Sequence, residues 1–168
     1  LLLWERIDEW LMSHLTEFDG KQFVSVTQGD LQLGDLEDEE SRKHQESLAE
    51  AHQPLVERVR KALGDKVKEV RISHRLTSTP SCVVTDAHGM SSHMMKLMQA
   101  AGQKVPEQKF ILELNPEHAL LKRIDGISDE ALFTEWCDLL LEQAQLAEQG
   151  GLQDPSGFVA RVNRLLMG

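Results

Sequence analysis

Tyrosine is absent from this sequence, and the other aromatics are few, with three Trp and five Phe among 168 residues. Cysteine is nearly absent as well. Cys82 and Cys137 are the only two, too few for a disulfide framework. With no signal-peptide pattern at the start, they point to a reducing, cytoplasmic setting. An excess of positive charge is missing: 18 Lys and Arg stand against 28 Asp and Glu, a net charge of −10. That balance argues against a nucleic-acid partner, whose phosphates require clustered Lys and Arg. No apolar run approaches the ~20 residues that cross a bilayer, so no membrane partner is expected. Signature loops of catalysis are lacking too: there is no P-loop, no Gly-x-Gly-x-x-Gly, no Gly-x-Ser-x-Gly and no His-Glu-x-x-His.

What is present reads as one domain, or one domain with a remnant of another. Residues 1–15 carry Leu3, Ile7, Trp10, Leu11 and Leu15 at helical spacing, and Asp19-Gly20 ends that unit. Gln22 to Thr27 is strand-like, and the glycine-bearing stretch from Gln28 to Asp35 is the candidate boundary. From Asp35 to Glu50 seven acids face two bases, half of the net charge, which reads as the solvated face of a helix from about Leu36 to Ala51. Pro54 suits the first turn of a second helix with the stripe Leu55, Val56, Val59 and Leu63, stopped by Gly64.

The period then changes to two. Val70, Ile72, His74 and Leu76 alternate with polar residues, the pattern of a half-buried strand. Thr77 to Pro80 turns into a second strand at Cys82 to Thr85, and Phe110 to Leu114 is a third. Asn115-Pro116 predicts a helix start with Asn as N-cap, and that helix ends at Gly126. Ser128 is expected to cap the next helix, to about Glu148, and Asp154-Pro155 starts the last, to about Met167. The fold class is α+β: a small three-stranded sheet with flanking helices and a C-terminal helical hairpin.

Two features carry functional information. Four of the six methionines fall between Met90 and Met98, and Met90, Met94, Leu97, Met98 and Ala101 form one stripe on a helix, with Met95 beside it. Unbranched, polarizable methionine suits a surface that accepts partners of varied shape, whereas the plain alternative is a core-facing stripe. The terminal helices carry two more stripes. One comprises Leu132, Trp136, Leu139, Leu140, Gln143 and Leu146, flanked by Phe133. The other comprises Phe158, Val159, Val162, Leu165 and Leu166. Such a hairpin folds onto its own domain or pairs with a copy of itself as an intermolecular four-helix bundle about a two-fold axis.

Chemistry is poorly represented. His88 and His93 lack a recognised ligand spacing, since structural zinc sites need four clustered ligands, so no metal is expected. His74 reads as a hydrogen-bonded core histidine, and Cys82 and Cys137 as inert packing. No carboxylate pair stands in an apolar context that would tune it for acid–base work. A small enzyme using Cys82 or the histidines is the remote alternative.

Four stretches in order bring a family into view: Leu-Leu-Trp-Glu-Arg-Ile-Asp-Glu-Trp-Leu-Met at 2–12 with Leu-Thr-Glu-Phe-Asp-Gly-Lys at 15–21; Val-Arg-Ile-Ser-His-Arg-Leu-Thr-Ser-Thr-Pro at 70–80; Gly-Gln-Lys-Val-Pro-Glu at 102–107; and Leu-Glu-Leu-Asn-Pro-Glu-His at 112–118. The chain resembles the C-terminal part of the ninety-kilodalton heat-shock chaperones, in their bacterial form. That resemblance implies a remnant of the family's middle domain in residues 1–30 and a C-terminal dimerisation domain in 31–168. It implies an ATP-dependent chaperone of stress response acting on non-native clients, with ATP and magnesium bound by an N-terminal domain outside this fragment. The fragment itself is therefore expected to need no cofactor and to be no enzyme. The client-contacting residues it implies are Trp10, Met90, Met94, Met95, Leu97 and Met98, and the dimer is implied to form through 129–148 and 155–167. The chain ends Leu-Leu-Met-Gly, where cytosolic eukaryotic members carry an acidic Glu-Glu-Val-Asp tail, so helical-repeat co-chaperones are not expected to dock there. A purely structural dimerisation domain with the Met stripe buried is the competing reading.

Overall fold

The computed structural model of the chain describes residues 11, 12, 14–23, 39–73, 75–85, 98, 102 and 109–167. Leu11, Met12 and His14 are helical, and the Leu15 N–H donates to the Leu11 carbonyl at 2.8 Å. Asp19-Gly20 does more than end that helix. It is the turn of a small hairpin in which β1 (Glu17–Phe18) pairs antiparallel with β2 (Lys21–Gln22). Both turn residues have positive φ, 53° at Asp19 and 72° at Gly20, the backbone that a two-residue turn of this hand requires.

Two helices follow, α1 (Glu39–Ala51) and α2 (Gln53–Leu63), divided at His52. Among the described side chains of α1, Lys43, Glu46, Ser47 and Glu50 are exposed and Leu48 and Ala49 are half-buried, as the acidic run predicts. In α2 the predicted stripe of Leu55, Val56, Val59 and Leu63 is buried, Pro54 sits in the first turn, and Gly64 at φ 52° ends the helix. A single 3-10 turn, Gly64–Lys66, leads into the sheet.

The sheet has the order β3 (Val67–Ile72), β5 (Phe110–Leu114), β4 (Ser81–Val84), with β3 parallel and β4 antiparallel to the central β5. The two strands adjacent in sequence thus flank β5 without pairing to each other. A register shift between Val67 and Glu69 adds a residue, which is why both Val67 and Val70 are buried despite their odd spacing. Every residue of β5 is buried. Phe110, Leu112 and Leu114 share one face with Val70, Ile72 and Val83, and these join the apolar cluster with α2 and the long helix near the end of the chain. Each such fully buried aliphatic side chain contributes roughly 1.5–3 kcal/mol.

Three helices follow the sheet among the described residues: α3 (Ala119–Asp125), α4 (Glu130–Gln149) and α5 (Pro155–Met167). Two predicted caps are displaced. Asn115-Pro116 forms a turn in which the Asn115 Oδ1 accepts from the Glu117 N–H. Asn115 is meanwhile held at the sheet edge, its own N–H donating to the Pro80 carbonyl. Helix α3 therefore starts after His118, whose Nδ1 accepts from the Leu120 N–H. Helix α4 is capped by Asp129 rather than Ser128: the Asp129 Oδ1 accepts from the N–H groups of Ala131 and Leu132 at 2.8 and 3.0 Å. Across the described residues the α+β class and the three-stranded sheet stand as expected, and no helix there is long and apolar enough to cross a membrane.

Candidate functional site

The twenty residues of α4 divide by angle around its axis. Phe133, Trp136, Cys137, Leu140, Leu141 and Ala144 are buried against the sheet and α2. The polar face of this packing is closed by Ser81, buried on β4, whose hydroxyl donates to the Leu140 carbonyl at 3.0 Å and accepts from the Gln143 amide at 3.4 Å. Arg58 of α2 lies over the Phe133 ring, 3.7 Å from its centroid, while its Nη2 donates to the Ile127 carbonyl at 2.6 Å. Next around the helix comes a row at sevenfold spacing, Leu132, Leu139 and Leu146. Leu132 and Leu146 are exposed, and Leu139 is half-buried at the margin of the core. Beyond that row stand the acids Glu135, Asp138 and Glu142.

Helix α5 lies along the acidic edge. Its cap is Asp154, whose Oδ1 accepts from the Gly157 N–H at 2.9 Å. Leu165 is its one buried residue, and Phe158, Arg161 and Val162 are half-buried. Val159, Leu166 and Met167 are exposed, Leu166 at 77% and Met167 at 82%. Val159 and Leu166 are again seven residues apart and so share one side of the helix.

The residues predicted for self-association thus separate into two groups. Leu132, Leu146 and Leu166 face outward, with Leu139, Gln143, Phe158 and Val162 half-buried beside them. Trp136, Leu140 and Leu165 lie in the protomer's own core. The physical reason is that one stripe spanned an arc wide enough for two neighbours, and the sheet takes the side of Trp136 and Leu140. Of the residues predicted for client contact, Met98 is helical and half-buried; Trp10, Met90, Met94, Met95 and Leu97 lie outside the described residues, as do His74, His88 and His93.

The sheet's second face was not foreseen. Arg71 of β3, Glu113 of β5 and Cys82 of β4 are neighbours in register across the three strands. Glu113 is only 2% exposed, yet it accepts from four side chains. The Arg71 and Arg75 guanidinium groups donate to its Oε1 at 2.8 and 2.9 Å, the Ser73 hydroxyl to its Oε2 at 3.0 Å, and the Cys82 thiol to the same oxygen at 3.6 Å. Ser73 also accepts from the backbone N–H groups of Arg75 and Leu76, which pins the chain as it leaves β3. A buried carboxylate satisfied in this way is a structural clamp.

Neither thiol is suited to attack. Burial, reinforced by the charge of Glu113, pushes Cys82 up to about 12, and burial with the charge of Asp138 pushes Cys137 to about 12 as well. The nucleophilic thiolate is therefore almost unpopulated at neutral pH. No group of three or more His, Cys, Asp or Glu that could hold a metal ion occurs among the described residues.

Comparison with known proteins gives the lineage. The family model described as Hsp90 protein matches residues 1–168. The chain belongs to the Hsp90 family. Among curated relatives, it is 58% identical over 99% of its length to the chaperone protein HtpG of Psychromonas ingrahamii. It is likewise 58% identical to that of Shewanella loihica and 56% identical to that of Pseudoalteromonas translucida, each over 99% of its length. The chain spans about a quarter (26%) of the length of these relatives.

Proposed function

We propose that this chain is the homodimerising part of an ATP-dependent chaperone, residues 31–168 forming the dimerisation domain and the Met-rich stretch contacting non-native client proteins. The observation that carries the reading is the outward apolar surface of the terminal hairpin: Leu132 and Leu146 on α4, Val159, Leu166 and Met167 on α5. Rows at sevenfold spacing are the seam from which antiparallel helix pairs build four-helix bundles, and two copies related by a two-fold axis would each cover the other's rows. Family membership and the name carried by the relatives support a chaperone role, and the methionine-rich composition of residues 90–98 suits contact with variable partners.

The test is the mass in solution of the intact chain and of its Leu166→Glu variant. The chain is expected to sediment as a dimer. Because Leu166 is exposed in the protomer, the variant should keep its urea midpoint at high dilution. Its dimer should weaken by roughly 3 kcal/mol, about 100-fold in Kd, because an unpaired charge would enter the seam. A monomeric parent chain, or a variant that dimerises as tightly as the parent, overturns the reading.

A further inference from the structure

The apolar rows are useful to a partner only if α5 holds a fixed rotation and height against α4, and the apolar packing of α5 within the protomer centres on a single buried side chain. Leu165 is the sole buried side chain of α5. Phe158 and Val162 are half-buried beside it, and ion pairs join the two helices as well. The acids Glu135, Asp138 and Glu142 stand at i, i+3 and i+7 on α4, one face of the helix, and the antiparallel α5 meets them with Arg161 and Arg164. The Arg161 Nη1 lies 3.3 Å from the Asp138 Oδ2, and its Nε donates to the Glu142 Oε2 at 3.0 Å. The Arg164 Nε donates to the Glu135 Oε2 at 2.8 Å.

These pairs are unequal. Arg164 is more than half exposed, and a bridge of that kind is weakened by water and salt. Arg161 and Asp138 are shielded, with side-chain exposures of 20% and 11%. Asp138 is in turn anchored to the body of the domain, since the Lys66 Nζ donates to its Oδ1 at 2.5 Å from the turn before β3. A continuous chain of charge therefore runs from the sheet through Asp138 to the middle of α5. The fixed fork of a guanidinium suits it to hold Asp138 and Glu142 at once, whereas an ammonium is a point charge without that preset geometry.

We infer that Arg161 is a positioning residue for self-association: by spanning Asp138 and Glu142 it locks α5 on α4 so that Val159 and Leu166 stand alongside the Leu132–Leu146 row. The inference rests on the dimer reading and adds to it the device that presents the surface. It predicts an effect without contact, because Arg161 lies on the inner side of α5 and not on the outward rows.

The experiment uses the intact chain with Arg161→Gln and Arg161→Lys, and three readouts. Equilibrium sedimentation gives Kd, hydrogen exchange of amides 158–166 below the dissociation concentration reports the hold on α5 in the monomer, and urea unfolding reports the body. Arg161→Gln should raise Kd about ten-fold, the size of coupling usual for a shielded pair, and speed exchange in α5 while leaving the urea midpoint of the body in place. Arg161→Lys should recover part of the loss, because it keeps the positive charge between the two acids but not the forked contacts. Unchanged Kd and exchange in Arg161→Gln overturn the inference, and so does a fall of the body's urea midpoint that accounts for the whole loss. If the parent chain is monomeric, the dimer reading fails on its own, and the exchange of 158–166 still decides whether Arg161 holds the helix.

Discussion

Helices α4 and α5 are successive in the chain, both amphipathic, and joined by a short turn, yet they hold their places by different means. Helix α4 buries a broad arc, including Phe133, Cys137 and Leu140 with no exposed surface at all. Helix α5 buries Leu165 and turns Val159, Leu166 and Met167 to solvent. A helix whose apolar residues face away from its own domain gains little stability there, and large exposed apolar surface on a natural protein usually marks an interaction site. The two helices thus weight two tasks differently, which one apolar stripe cannot reveal: α4 chiefly completes a core and adds Leu132 and Leu146 to the outside, whereas α5 chiefly presents a surface.

The comparison breaks most visibly at Phe133. The ring is fully buried with the Arg58 guanidinium stacked over it, so Phe133→Ala should cost about 3–5 kcal/mol, from lost transfer energy plus an incompletely collapsed cavity. The loss is expected as a lower urea midpoint for the entire domain. If urea unfolding of this variant were unchanged, α4 would be no more integral to the body than α5.

Alkaline titration sharpens the contrast through a group that only α4 possesses. Cys137 titrates near 9.0 when solvated and is pushed to about 12 in the fold. A raised folded value means that the fold favours the neutral thiol. The contribution is whole below about pH 9 and is lost as pH climbs toward 12, because the unfolded chain releases the proton first. Cys82, raised likewise, adds to the same slope. Stability from urea unfolding should fall across this window, and Cys137→Ala should make the fall shallower. An identical slope in parent and variant would remove Cys137 from the account.

Much of this architecture was legible in the sequence because local chemistry and periodicity agreed. Phe110–Leu114 appears as predicted, as does Pro155–Met167, whose Asp-Pro start places a cap and a preset φ side by side. The Asp19-Gly20 hairpin is legible too: the pair both ends the helical pattern before it and forms the common two-residue hairpin turn. Asn115 gave a cap signal that tertiary structure redirected, since its N–H is committed to Pro80 at the sheet edge. Other features left no local trace. Glu113 sits in an apolar run and meets Arg71, Ser73 and Cys82 only when three strands assemble, and Asp138 meets Lys66 and Arg161 across long sequence separations. The division of the α4 stripe between core and surface was illegible for the same reason: a period specifies a face and not the neighbour that will cover it.

The smallest effect is the most discriminating. Each of the two helices begins with an aspartate cap: Asp129 accepts from two N–H groups of α4, and Asp154 accepts from the Gly157 N–H of α5. Replacing either by Ala removes an interaction of about 1 kcal/mol, so the chemistry of the two changes is nearly matched. Their consequences should differ in kind. Since α4 unfolds only with the body, Asp129→Ala should lower global stability by that amount and shift the urea midpoint. Since α5 has one buried residue, it should open in a local step that leaves the core intact, and Asp154→Ala should speed hydrogen exchange in 156–166 at high dilution with the midpoint unmoved. A midpoint shift of equal size in the two variants would show that α5 is bound into the same cooperative unit as α4. The hairpin would then be one rigid element, and the ionic hold through Arg161 would be stronger than its single buried neighbour suggests.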